Sequence, residues 1–289
     1  MGGIFENIAP NDDGSGRARK DEVMNILESI VLGIVQGLTE FLPVSSSGHL
    51  VLLQKVFGLS ALESAADPWI LFFDTMLHLG TLIAVVIVVW KDIIGLFTKP
   101  MNLLYLIIAT LPAAAAYLLF PDFFENAFGG AYLGYAFLLT AVLLTLSEII
   151  ANTVTRKREL KSGGALTMGL LQVAGLLPGV SRSGATISGG LAWGSDREKA
   201  ARFSFLMSIP AIIGANFMQG LDLLNEKIDI QWAPVIAGTV CAAVAGYAAV
   251  KFMISLIQKK KLYGFAVYTA ALGFLILLDK YLFHIINWK

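Results

Sequence analysis

The sequence has little charge for its length. Only 15% of its 289 residues are charged, the formal net charge is zero, and 56% are hydrophobic. An ordinary soluble domain has about 25% charged residues. Without an excess of basic residues, the chain also lacks the phosphate-neutralising patch of nucleic-acid-binding proteins. The composition therefore predicts a membrane protein whose partners are lipids and small anions, with no nucleic acid among them.

Cysteine is almost absent. The single cysteine, Cys241, excludes an intrachain disulfide and any metal or redox site built on paired cysteines. Because it stands in an apolar run, we expect it to be a small buried hydrophobic residue.

A long apolar run is missing from the first 24 residues. They also lack the small-residue cleavage site of a signal peptide. We therefore expect residues 1–24 to be a polar N-terminal tail and residues 25–289 to form a single membrane-embedded domain.

Six stretches are long and apolar enough to cross a bilayer as helices. At a rise of about 1.5 Å per residue, some 20 residues cover a hydrocarbon core of about 30 Å. Tryptophans at 69, 90 and 232 stand at span ends, as expected at the headgroup level. The predicted spans are residues 69–90, 101–120, 131–150, 203–220, 232–250 and 262–283.

Two further apolar regions are interrupted by polar segments. Residues 26–59 contain a first break at residues 43–48, and residues 165–193 contain a second break at residues 178–184. The arm after the first break would extend only about 15 Å as a helix, half a membrane. Irregular backbone at membrane depth is tolerated only where protein or a wet cavity satisfies it. Each region is therefore predicted to be a re-entrant hairpin next to a buried polar site.

The two breaks resemble each other. They read PVSSSG and PGVSRSG, and Gln36 before the first is matched by Gln172 before the second. A re-entrant hairpin returns to its starting side, and three spans separate the two, so the repeats, about 25–150 and 165–285, are inverted. The predicted fold is an all-α polytopic membrane protein with six transmembrane helices and two re-entrant helical hairpins in an inverted-topology repeat. In such a repeat, half-helix N-termini can face an anion near the midplane.

Loop charges predict an orientation. Basic residues cluster in the connections at 91–99, 156–161, 197–202 and 259–261, whereas 121–130 and 221–231 are acidic on balance. The basic connections should be cytoplasmic. This places the first hairpin, both termini and the connection at 59–68 outside, although the basic residues of the N-terminal tail disagree.

The first break has an acid and several possible nucleophiles nearby. Gln36 and Glu40 are four residues apart and share a helical face directed toward the serines. A carboxylate within the bilayer costs at least about 2.5 kcal/mol on insertion scales, so function is favoured over a purely structural role. His49 could exchange protons or attack phosphorus. The candidate residues here are Gln36, Glu40, Ser45, Ser46, Ser47 and His49.

Arg182 marks the second break, because it stands alone among uncharged residues from 165 to 192. Its planar guanidinium matches a phosphate bidentately, and Ser181, Ser183 and Thr186 can add hydroxyl donors. The alternative is a structural ion pair with Glu40. Such a pair is compatible with function, since it could preorganise the empty site.

Together these groups favour phosphoryl transfer over acyl transfer or redox chemistry. A diphosphate beside Glu40 would be repelled unless a hard divalent cation bridged them, so Mg²⁺ or Ca²⁺ held by Glu40 is expected. Asp74 and His78, four apart in one span, could form a second pair or a proton route, or could satisfy each other. Glu148, near a span end, is expected to be interfacial.

A secondary transporter or lipid flippase is the main rival, because inverted repeats and broken helices are also a transporter design. Transport needs binding groups but no nucleophile beside a proton acceptor. The serines and His49 near Glu40 therefore favour hydrolysis. A helical scaffold would leave Glu40 and Arg182 without purpose.

The two motifs resemble the signatures of the bacitracin-resistance family of undecaprenyl-diphosphate phosphatases. That family pairs an E/QxxxE element that runs into a serine-rich stretch with PGxSRSxxT. Here residues 36–49 read QGLTEFLPVSSSGH and residues 178–186 read PGVSRSGAT. The resemblance extends over about residues 25–283. Gln36 takes a position where some members have glutamate, which moves more of the work onto Glu40.

This resemblance implies an enzyme of the bacterial cell membrane with an active site open toward the outer face. It would convert undecaprenyl diphosphate to undecaprenyl phosphate, recycle the carrier lipid for cell-wall synthesis, confer bacitracin resistance and use a divalent cation. Its partners would be the polyprenyl diphosphate, membrane lipids and a second copy of the chain in a homodimer. Glu40 and His49 would be acid–base or metal-associated groups and Arg182 the diphosphate clamp. Ser46, His49 and water remain candidate nucleophiles.

Inverted topology can be tested by labelling. Cysteines introduced at Ser60 and Lys157 should react with a membrane-impermeant reagent from opposite sides of the membrane, because the two positions flank different hairpins. Labelling of both from the same side would contradict the inverted repeat.

Overall fold

The computed structural model describes residues 24–59, 68–127, 130–154, 157–226, 228–259, 261–286 and 288. Most of the predicted N-terminal tail, the connection at 60–67 and the basic residues Arg156 and Lys260 lie outside these ranges. Within them the regular structure is entirely helical. The α-helices are α1 Ile26–Phe41, α2 Ser46–Val56, α3 Pro68–Val88, α4 Trp90–Thr98, α5 Pro100–Leu119, α6 Pro121–Ala127, α7 Leu133–Thr153, α8 Ser162–Ala174, α9 Arg182–Trp193, α10 Arg197–Asp222, α11 Trp232–Lys259 and α12 Tyr263–Leu278.

Six helices are long and apolar enough to cross a membrane: α3, α5, α7, α10, α11 and α12 with the turn that follows it. They coincide with the six predicted spans, so this prediction is confirmed. Helix α10 begins at Arg197 and not near residue 203, because the Asp196 side chain accepts the amide protons of Glu198 and Lys199 and thereby caps the helix. The chain is a multi-pass helical membrane protein.

Both predicted breaks are present. Helices α1 and α2 are separated at residues 42–45, and α8 and α9 at residues 175–181. Helices α2 and α9 have only 11 and 12 residues, about 17 Å of helix each, too short to cross. In each break a serine, Ser45 or Ser181, accepts the amide proton of the residue three positions later. This cap starts the helix early, so Ser46, Ser47 and Arg182 lie in first turns and not in irregular backbone.

Contacts between distant segments place several basic connections at one end of the bundle, called the basic end here. Arg202 of α10 donates to Asp92 of α4 at 3.1 Å, and Lys157 donates to Asp196 at 2.8 Å. The hydrogen bond from Lys157 holds the pKa of the Asp196 carboxyl below its ordinary value. The start of α8 and the end of α9 also meet at this end, since the amide of residue 158 donates to the carbonyl of Gly194 at 2.9 Å.

The two ends of the first broken region belong to one extended buried cluster. Met24, before α1, and Leu59, after α2, share it with Leu32 and Phe73. Lys55 of α2 lies 5.6 Å from the centre of the Trp288 ring, so the end of α2 contacts the C-terminal segment.

Small residues let α1 and α11 approach closely. Gly33 and Gly37 of α1 face Gly238 and Ala242 of α11. A Cβ atom on Gly37 would lie 2.5 Å from the carbonyl oxygen of Ala242 and 2.7 Å from the Cβ of Ala245. Close backbone approach through small residues is a main source of association between membrane helices. This contact fixes the helix that bears Glu40.

The expectation for Cys241 was wrong, and that for Glu148 stays a prediction. Glu148 is fully buried within the protein, which does not fix its depth in the membrane. Both its carboxylate oxygens accept from Arg197, and one also accepts the Leu262 amide at 2.8 Å, so residues distant in sequence enclose the end of α7. Cys241 is only partly buried, because it lies on a side of α11 that its neighbours cover incompletely.

The close contact of α1 with α11 predicts that Gly37→Ala destabilises the protein by about 1–3 kcal/mol, since overpacking must move backbone. The control is Gly214→Ala, whose Cβ would have no heavy atom within 4 Å and which should gain helix propensity. Thermal unfolding in detergent measures both. Equal melting temperatures for the two variants would contradict the packing argument.

Candidate active site

The carboxylate of Glu40 lies at the centre of the site. Its Oε1 accepts from the Arg182 guanidinium, and its Oε2 accepts from the Ser46 hydroxyl and, at 3.0 Å, from the Gln36 amide. Glu40 is only 6% exposed, so protein donors replace water around it. The predicted shared face of Gln36 and Glu40 and the ion pair with Arg182 are both observed.

Arg182 reaches the carboxylate from the first residue of α9. One of its other nitrogens, Nη1, lies 3.4 Å from the carbonyl oxygen of Ser208 in α10. The side chain remains 18% exposed, so it is not fully enclosed. A guanidinium held on both sides in this way is preorganised for an anion.

The two breaks meet with corresponding residues. Ser46 follows the cap Ser45, Arg182 follows the cap Ser181, and both Ser46 and Arg182 bind Glu40. First-turn amides have no partner within their own helix and attract anions. The N-termini of the half-helices α2 and α9 therefore both point toward the carboxylate of Glu40.

Direct packing holds the breaks together. A Cβ on Gly48 would lie 2.6 Å from the Phe137 ring and 2.9 Å from the Cα of Gly179, which leaves room for glycine alone. The Ser183 hydroxyl donates to the carbonyl of Leu42 at 3.0 Å and joins α9 to the end of α1.

Ser45 has an unusual backbone. Its φ is 71°, in the left-handed region that residues other than glycine seldom adopt, and such strain clusters at functional sites. Its hydroxyl accepts the Gly48 amide at 3.3 Å and lies 3.4 Å from the Ser47 hydroxyl. The strained turn thus directs the side chains that follow it.

The hydroxyls of the second break have protein partners. Ser181 accepts the Gly184 amide at 3.0 Å. Thr186 donates to the carbonyl of Arg182 at 2.9 Å and lies 2.6 Å from the hydroxyl of Ser204, so it faces α10. The substrate-binding roles predicted for Ser45, Ser47, Ser181, Ser183 and Thr186 stay predictions.

The structure places His49 apart from the contacts of Glu40. Its Nδ1 lies 2.6 Å from the carbonyl oxygen of Ser45, and its Nε2 lies 2.7 Å from the hydroxyl of Tyr268 in α12. The edge of Phe137 covers the ring, with centroids 5.4 Å apart. Tyr268 gave no sign in the sequence, since it is an aromatic residue in an apolar span.

His78 is the histidine nearest to the carboxylate, with its Nε2 3.9 Å from Oε2 of Glu40. Its Nδ1 lies 2.8 Å from the backbone carbonyl of Asp74, whereas the Asp74 carboxylate accepts from the amide of Gln54 at 2.9 and 3.1 Å. The two side chains therefore bind different groups. The sequence signal that could have placed His78 at the site was the presence of a histidine inside a predicted span.

This geometry defines a class of protein: a multi-pass helical membrane protein with a buried carboxylate–guanidinium pair between two half-helix N-termini, suited to bind an anion. Residues 29–275 match the family described as Bacitracin resistance protein BacA, and the chain belongs to that family.

Similar proteins support the assignment. The chain is 43% identical over 260 residues to an undecaprenyl-diphosphatase of Carboxydothermus hydrogenoformans, covering 88% of this chain and 97% of the relative. It is 40% identical over 261 residues to an undecaprenyl-diphosphatase of Halothermothrix orenii, covering 88% and 98%. It is 43% identical over 259 residues to undecaprenyl-diphosphatase 3 of Bacillus cereus, covering 88% and 97%.

The ion pair predicts strong energetic coupling between its members. Arg182→Gln should cost about 3 kcal/mol of stability, because it leaves Glu40 buried without its counter-charge. The double variant Glu40→Gln/Arg182→Gln should lose less stability than the sum of the losses of the two single variants. Unfolding in detergent measures the cycle.

The matched control is the exposed pair of Glu159 and Lys161, 3.0 Å apart. Water screens this pair, so its double-mutant cycle should show no measurable coupling. Additive losses for Glu40 and Arg182 would contradict the buried pair as described.

Proposed function

We propose that the protein is an undecaprenyl-diphosphatase, which hydrolyses undecaprenyl diphosphate to undecaprenyl phosphate and inorganic phosphate. The similar proteins from three bacteria bear this name. The observation that supports it best is the contact of Glu40 with both Ser46 and Arg182. It unites a hydroxyl, a proton acceptor and an anion-binding group on one carboxylate.

The diphosphate would bind Arg182 and the first-turn amides of α2 and α9. Phosphate oxygens pair with a guanidinium in the same planar geometry as a carboxylate does. The substrate would therefore compete with Glu40 for Arg182. Release of Glu40 from this pair frees the carboxylate to accept the Ser46 proton.

Ser46 is the nucleophile that the geometry favours among Ser46, His49 and water. A nucleophile activated by a neighbouring base shows a hydrogen bond between the two, with the base oriented by a third group. Ser46 donates to Glu40, and Gln36 fixes Glu40 from the preceding helical turn. His49 makes its hydrogen bonds with Ser45 and Tyr268.

The proposed divalent cation, Mg²⁺ or Ca²⁺, would be held by Glu40 together with the diphosphate. Within the described residues, no group of three or more His, Cys, Asp or Glu side chains could hold a metal ion. One carboxylate plus substrate phosphates is nevertheless a usual Mg²⁺ environment. When bound, the cation would neutralise charge on the phosphate oxygens.

The proposed topology is the inverted repeat with two re-entrant hairpins. Its support is that α2 and α9 are too short to cross, that the two ends of the second broken region are joined by a hydrogen bond, and that α3, α5 and α7 separate the two regions. With the basic end cytoplasmic, the first hairpin would enter from outside.

The protein would then lie in the bacterial cell membrane with its site open toward the outer face. Hydrolysis there would recycle the carrier lipid for cell-wall synthesis and confer bacitracin resistance. The homodimer expected from the sequence stays a prediction. The transporter or flippase is less favoured, because the similar proteins bear a phosphatase name and Ser46 adjoins a proton acceptor.

Phosphate release tests the proposal. Purified protein in detergent is given a polyprenyl diphosphate with and without Mg²⁺, and inorganic phosphate is measured. Glu40→Ala, Arg182→Ala and Ser46→Ala should each lose at least about 100-fold in rate, the usual size of acid–base contributions. Ser255→Ala and Glu159→Gln, at exposed positions, should remain active.

If folded wild-type protein released no phosphate, the proposed enzymatic activity would be overturned. Substantial activity of Ser46→Ala would exclude Ser46 as the nucleophile and leave His49 or water. A rate of phosphate release that stays unchanged when Mg²⁺ and Ca²⁺ are removed by chelation would overturn the proposed role of the cation.

A further inference from the structure

The environment of His49 contains a residue without an assigned role. Tyr268 lies on α12, 219 residues from His49 in sequence, and its hydroxyl is 2.7 Å from Nε2. The two ring planes are parallel to within 6° and stacked, with centroids 5.7 Å apart. The 2.7 Å separation of the hydroxyl from the nitrogen is a hydrogen-bond distance.

The other ring nitrogen determines the tautomer. Nδ1 lies 2.6 Å from the carbonyl oxygen of Ser45, which can only accept. Nδ1 must therefore bear a proton. In the neutral ring Nε2 is then an acceptor, and the Tyr268 hydroxyl is the donor.

The two partners of His49 differ in freedom. Ser45 is a strained backbone position with φ of 71°, and its carbonyl also accepts the His49 amide at 3.3 Å. Tyr268 is 47% exposed, whereas His49 is 7% exposed. The Ser45 carbonyl thus fixes Nδ1 of the imidazole. The Tyr268 hydroxyl on α12 binds Nε2, the only other polar atom of the ring.

We propose that Tyr268 is a positioning residue for His49, whose hydroxyl acts together with the Ser45 carbonyl to hold the imidazole in the Nδ1–H tautomer and to fix the orientation of the ring. A tyrosine hydroxyl can donate to Nε2 of the neutral ring and accept from it when the ring is protonated. The hydrogen bond therefore persists in both states. The effect of this role on the rate rests on the proposed hydrolysis, with His49 as the acid–base group that the sequence predicts.

The chain suits a direct spectroscopic test, because it has only three histidines, His49, His78 and His284. In ¹⁵N-histidine-labelled protein, the His49 signals are identified by their loss in His49→Gln. Wild-type protein should show a protonated Nδ1 and an unprotonated, hydrogen-bonded Nε2. Tyr268→Phe should shift the Nε2 signal and leave Nδ1 bonded to Ser45.

Kinetics provide the second readout. Tyr268→Phe should lower kcat by about fivefold to tenfold, the size of one hydrogen bond, and leave KM within about twofold, since Arg182 still binds the diphosphate. The matched control, Tyr263→Phe on the same helix, should leave both the His49 signals and kcat unchanged. A melting temperature equal to wild type establishes that the Tyr268 variant is folded.

Three results would overturn the proposal: a protonated Nε2 in neutral wild-type His49, an unshifted Nε2 signal in Tyr268→Phe, or a shifted signal with unchanged kcat. Failure of the proposed function is distinguishable from these results. It would abolish phosphate release in wild-type protein, whereas the nuclear magnetic resonance comparison would still report the hydrogen bond.

Discussion

A carboxylate at membrane depth can remain an ion only if protein donors replace the water it has lost. Glu40 meets this condition with donors from α1, α2 and α9, namely Gln36, Ser46 and Arg182. Each donor imposes a structural demand. Gln36 requires an unbroken helix through Glu40, Ser46 requires that this helix end soon after Glu40, and Arg182 requires the second break to lie beside the first.

The close packing of the breaks satisfies these demands together. Gly48 lies against Phe137 and Gly179, and Ser183 binds the end of α1, so the two half-helices meet through backbone. Ser46 and Arg182 then occupy corresponding positions with different chemistry. One broken region places a hydroxyl on Glu40, and the other places a guanidinium there, so the site needs both.

Much of this arrangement could be predicted from the sequence, because its causes are local. Hydropathy gave the six spans, and a spacing of four gave the contact of Gln36 with Glu40. The pairing of Arg182 with Glu40 was the alternative to a phosphate clamp, and it is the contact that the structure shows. The burial of Glu148 could not be predicted, because its partners, Arg197 and the Leu262 amide, lie 49 and 114 residues away. The contacts of His49 could not be foreseen, because the left-handed turn at Ser45 sets the direction of α2.

The resting ion pair also offers an account of selectivity. Separation of Glu40 from Arg182 inside the protein costs several kcal/mol unless each charge gains a new partner. A neutral lipid headgroup supplies neither partner. A diphosphate would supply anionic oxygens for Arg182, and the proposed cation would supply a counter-charge for Glu40. The pair would therefore disfavour uncharged headgroups and open to the anionic headgroup of the proposed substrate.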